Sequence, residues 1–100
     1  MTPLKRWELD LRTIGCVICR RMGYPGSPAS LHHISEGSSV RSEWLKVPLC
    51  REHHQGANGL HGMSARTFIK VHRLPGESEY GLLAFAIEDV AKMRAGDLEL

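Results

Sequence analysis

No apolar run in the sequence is longer than the six residues Leu82 to Ile87. A helix needs roughly 20 such residues to cross a bilayer, so a spanning segment is excluded. The first eleven residues mix Lys5 and Arg6 with Glu8 and Asp10 and so lack the apolar centre of a secretory signal. The expected compartment is therefore the cytoplasm, with no membrane partner. Cysteine is scarce and odd in number, at Cys16, Cys19 and Cys50, which argues against a disulfide framework. There is no internal repeat and no low-complexity segment, which removes the solenoid architectures. With 42% hydrophobic residues the chain is too apolar to be disordered. Its 100 residues suit one domain, residues 1–100, whose small core would gain from a metal staple.

The net charge is only +2, but it is unevenly spread. Residues 1–73 hold eleven Lys and Arg against five Asp and Glu, a balance of +6, and residues 74–100 hold two against six, a balance of −4. Every cysteine and histidine lies in the basic part, where a phosphate-rich partner such as DNA would be attracted. An ordinary solvated surface gives the same count.

Apolar spacing predicts a helix over residues 4–13, with Leu4, Trp7 and Leu11 on one face. A tight knuckle follows at Cys16–Cys19, then a proline-containing loop over 23–30. Short strands are expected over 30–34 and 44–49, separated by a polar loop over 35–42. One helical stretch is expected over 50–58, ending at Gly59, and a second over 64–72. After the break at Leu74-Pro75-Gly76, residues 79–93 form the clearest helix, whose broad apolar stripe predicts packing against the core.

The strongest chemical signal is Cys16-x-x-Cys19 followed by Cys50-x-x-His53. Structural zinc takes four sulfur or nitrogen ligands in a tetrahedron, and ligands spaced in this way can share one ion. A redox role for the first pair is disfavoured because it lies outside any βαβ pattern. The alternative is three buried apolar cysteines beside a surface histidine. The second signal is His32-His33-Ile34. On a strand the two imidazoles point to opposite faces, so one can hold a metal while the other takes a proton. His54 adjoins His53, and on a helix it would point about 100° away from it. Asn58 would follow one turn later on the same face as His54, although Asn-Gly is also a common helix end.

The order C-x-x-C, H-H-I, then P-L-C-x-x-H-H resembles the His-Asn-His (HNH) endonucleases, whose catalytic unit is two strands and a helix around one metal. More narrowly, His32-His33-Ile34, Val47-Pro48-Leu49-Cys50-x-x-His53-His54-Gln55-Gly56 and Leu60-His61-Gly62 resemble the phage Ref-type nucleases, over about residues 14–85. Those proteins cut DNA together with the host RecA filament. The resemblance implies an α+β fold, a zinc-stabilised ββα-metal domain with an additional C-terminal helix. It implies His33 as general base, with His32, His54 and Asn58 facing a catalytic divalent ion (Mg, Mn, Ni or Zn). The Asn that usually orients the base is missing from Ser42-Glu43-Trp44-Leu45-Lys46, which leaves a backbone carbonyl as the expected orienting group. For His61 two readings stay open: a role near the metal or the scissile phosphate, or a polar residue in a glycine-rich turn. His72 reads as a surface histidine.

In this reading His33 activates a water, because an unperturbed imidazole titrates near neutral pH, and the ion stabilises the leaving 3′ oxygen. Arg41, Lys46, Arg51 and Arg66 are candidate phosphate contacts. A rival reading is a zinc-knuckle binding module that cuts nothing. A third is a recombination accessory working through contacts of residues 79–93.

Overall fold

Thr2 opens the first helix: its hydroxyl accepts the Lys5 N–H at 3.2 Å, and Pro3 follows where a missing N–H costs nothing. The structure, a computed structural model, describes residues 1–34 and 42–100. Helix α1 (Pro3–Ile14) is followed by α2 (Val17–Arg21), β1 (Ser30–His33), β2 (Lys46–Leu49), α3 (Arg51–His54), α4 (Ala65–His72), a 3₁₀ turn at Pro75–Glu77 and α5 (Tyr80–Arg94). This is a small α+β architecture. No described helix is long and apolar enough to cross a membrane.

The two strands pair antiparallel, with Leu31 opposite Pro48 and His32 opposite Val47. Both are shorter than expected. Trp44 lies in the turn before β2, about half exposed, and its carbonyl accepts the Trp7 indole N–H at 3.1 Å. Val47 and Leu49 are fully buried and meet Leu11, Ile14, Ile34, Phe68, Leu82 and Ala86 in one core.

Helix α5 crosses α1, α2 and β2. Its buried face is narrower than the expected stripe, comprising Gly81, Leu82, Ala86, Asp89 and Val90, while Ile87 is 53% exposed. Asp89 survives burial because Arg21 donates to it at 3.0 Å and the Arg20 guanidinium lies 4.0 Å away. A buried carboxylate without such partners would be strongly destabilising. Asp10 is held in the same way by Arg6 and Arg94.

The expected helix over 50–58 is the largest departure. Helix α3 stops at His54, and tight turns carry the chain to Met63. Gly56, Gly59 and Gly62 allow this close winding. A Cβ at Gly59 would lie 2.5 Å from the Glu52 carbonyl oxygen, and one at Gly62 would overlap the Gly56 carbonyl. Gly62→Ala is accordingly expected to destabilise the fold by about 1–3 kcal/mol through overpacking. At this chain length that is a drop of several degrees in thermal midpoint, and an unchanged midpoint in calorimetry would refute it.

Candidate metal centres and active site

Each half of the sulfur site is one turn of short helix. Cys16 caps α2, and its sulfur accepts the Cys19 N–H at 3.4 Å. Cys50 caps α3, and its sulfur accepts the His53 N–H at 3.5 Å. A helical turn brings residues three apart to one face, which is why the x-x spacing works. Between the halves, His53 Nδ1 lies 3.6, 3.4 and 3.2 Å from the sulfurs of Cys16, Cys19 and Cys50, and the Cys19 and Cys50 sulfurs are 3.6 Å apart.

The sulfur–sulfur distance is far beyond the roughly 2.05 Å of a disulfide. It matches the edge of a tetrahedron. Zn–S near 2.3 Å and Zn–N near 2.05 Å place sulfur and nitrogen about 3.6 Å apart, and two sulfurs about 3.8 Å apart. The four residues could therefore hold one structural metal ion. Burial pushes the Cys16 thiol up to about 12, so without a cation it stays protonated; a bound cation reverses that preference. Burial also holds His53 below the ordinary imidazole value, in the neutral form that a metal ligand needs. His72 is half-buried, not a surface histidine. Its ring lies 5.6 Å from that of His53 and 4.5 Å from Phe68, so α4 is seated against the sulfur site.

A second group forms from His32 on β1, His54 at the end of α3, and His61 in the turns beyond. One donor atom from each lies within 4.8 Å of the others, and this group too could hold an ion. The ring centroids are 5.0 Å apart for His32–His54, 5.4 Å for His32–His61 and 5.0 Å for His54–His61. Backbone bonds explain the return of His61: its N–H donates to the His54 carbonyl, and Leu60 N–H to that of His53, both at 3.0 Å. Burial, then the nearby His32 and His61, hold His54 below the usual imidazole value.

Two of these imidazoles also have polar neighbours. Glu79 Oε1 lies 3.2 Å from His32 Nε2, and Ser30 Oγ lies 3.3 Å from His54 Nδ1. Contacts of this kind orient imidazoles and fix which nitrogen carries the lone pair. Neither Glu79 nor Ser30 has a local sequence signature, since they stand 47 and 24 residues from their partners.

Asn58 does not follow His54 on a helix. Its backbone and side-chain N–H groups both donate to Glu52 Oε1, at 3.2 and 3.1 Å, because the chain has already turned away. His33 is the last residue of β1 and has a different partner from His32. Its Nε2 lies 3.1 Å from Glu43 Oε2, so a carboxylate sits in the region where an orienting Asn was sought. His33, then Lys46, hold the Glu43 carboxyl below its ordinary value.

The expected phosphate contacts divide. Lys46 is not a surface cation: it is 6% exposed, and its ammonium is bound by Glu8 at 2.7 Å and Glu43 at 3.0 Å. Those carboxylates raise it above the usual lysine value. Arg51 is exposed and shares a surface hollow with Ser30 and His54. Arg66 is exposed on α4, and Arg41 lies outside the described residues.

No curated protein and no solved structure matches the chain. A family model described as recombination enhancement, RecA-dependent nuclease matches residues 3–90, and the chain therefore belongs to that family of nucleases.

Proposed function

We propose that residues 1–100 act as one HNH-type nuclease domain, a metal-dependent DNA endonuclease working alongside a RecA filament. The observation that carries this is the second histidine group. A binding module needs the sulfur site alone, and convergence of His32, His54 and His61 has no structural purpose that the core does not already meet. In this reading zinc fills the sulfur site, since three thiolates and an imidazole suit that ion. Mg, Mn, Ni or Zn serves at the histidines.

When bound there, the divalent ion supplies positive charge against the phosphate and the leaving 3′ oxygen. The chain's own residues do the rest. His33 takes a proton from the attacking water. Glu43 accepts the His33 Nε2–H, which leaves Nδ1 as the basic atom and fixes the tautomer, as carboxylates do for catalytic histidines elsewhere. Glu79 and Ser30 hold His32 and His54 in their ligand orientations. Arg51 meets a phosphate oxygen beside His54. His61 takes the position that the sequence had suggested for Asn58.

The test is incubation of the purified protein with supercoiled, linear and single-stranded DNA, with and without Mg or Mn, and with a RecA filament present or absent. Phosphodiester cleavage that requires the divalent ion is expected. Failure to cut any form under every condition would favour the binding-module reading.

A further inference from the structure

Helix α4 carries its own charged surface, outside both metal groups. Arg66, Lys70 and Arg73 follow one another along one side, at i, i+4 and i+7. All three are exposed. Among the described residues no acidic group pairs with any of them. With about 1.5 Å of helix rise per residue, the cations stand roughly 6 and 4.5 Å apart along the axis. They border an open cleft of about 810 Å³, floored by Ile69 and Leu74 and holding one carboxylate, Glu77.

Two further observations single out this cleft. Arg73 (φ 52°) and Glu77 (φ 51°) are the only non-glycine residues among those described with left-handed backbone, and both line it. That conformation is unfavourable for an L side chain, and glycine is the usual residue at the helix end where Arg73 stands. Strain of this kind collects where a side chain is needed for a purpose other than folding. The cleft also leads somewhere. Glu77 is two residues from Glu79, the partner of His32, so its backbone lies within about 7 Å of a residue that touches one member of the histidine group.

We infer that the α4 cleft is a track for the sugar–phosphate backbone of DNA, with Arg66, Lys70 and Arg73 on successive phosphates, leading the strand toward His32, His54 and His61. The inference rests on the nuclease reading for its direction but not for its binding. An acidic protein surface is the other conceivable occupant. A row of cations on one helix side, close in sequence to the partner of His32, suits a polyphosphate strand better.

The experiment measures anisotropy of a short labelled duplex across about 50–200 mM salt with no divalent ion added. It compares wild type, Arg66→Gln/Lys70→Gln, and Arg73→Gly. Each lost phosphate contact should lower the salt slope by about one. The double variant should therefore lose about two units of slope and at least tenfold in low-salt affinity. Arg73→Gly is the sharper arm: relief of left-handed strain should keep or raise the thermal midpoint while duplex affinity falls. Wild-type affinity and slope in both variants would overturn the inference. So would normal DNA binding with loss only of association to an acidic protein. Because binding is read without cleavage, the two claims separate. A slope change in a protein that never cuts keeps the cleft and ends the nuclease reading, and unchanged slopes in a protein that cuts do the reverse.

Discussion

Stripping the metal from the sulfur site should unfold the protein. Metal binding in small zinc domains supplies about 10–16 kcal/mol, as much as or more than the roughly 5–15 kcal/mol by which a domain of this kind is stable. The geometry gives the reason. The ion would join residue 16 to residue 50, and α3 has only four residues, too few to be helical without an anchor. Without the ion, Cys16, Cys19, Cys50 and His53 would crowd together with nothing to hold, and α4, seated on His53 through His72, would lose its support. Metal analysis should find one zinc per chain. A strong chelator, or Cys50→Ser, should abolish cooperative melting seen by circular dichroism. A metal-free protein with an unchanged melt would show that the sulfur contacts are packing alone.

The second large effect separates the two roles proposed for adjacent histidines. His33→Ala should leave the fold and the zinc in place, since His33 is only partly buried and Glu43, which it contacts, is exposed. It should reduce cleavage by about 10²–10⁴, the usual cost of a lost general base, and leave duplex affinity near wild type. His54→Ala should also stop cutting, but by weakening the hold on the ion, so excess Mn or Mg should restore part of the rate. Glu43→Gln should fall between wild type and His33→Ala, because it disturbs the tautomer without removing the base. Single-turnover cleavage across a metal titration reads all three. Normal cutting by His33→Ala, or rescue of His33→Ala by metal, would mean that base and ligand have been exchanged or wrongly placed.

The sulfur site was legible because its chemistry is local. Cys16-x-x-Cys19 and Cys50-x-x-His53 each fit one helical turn, and only the meeting of the halves needed the fold. Helices α1 and α5 were legible from apolar spacing. The stretch after His54 was not. A 3.6-residue period extended past Gln55 places Asn58 under His54, but glycines at 56, 59 and 62 let the chain wind more tightly and bring His61 there instead. The spacing of those glycines was visible, yet nothing in it tells a helix end from a compact coil. Glu79, Ser30 and Glu43 were out of reach for another reason: their partners come from tertiary packing, which periodicity does not encode. The burial of Lys46 was not legible either, because charge on a strand reads as exposed until Glu8 on α1 is known to cover it.

The most direct test of the account is to locate the second ion. Crystals of the zinc-loaded protein soaked in Mn, with anomalous maps collected at the zinc and manganese edges, should show zinc among Cys16, Cys19, Cys50 and His53, and manganese among His32, His54 and His61. Manganese absent from the three histidines at concentrations that support cleavage, or found at another group of side chains, would contradict the proposed catalytic centre.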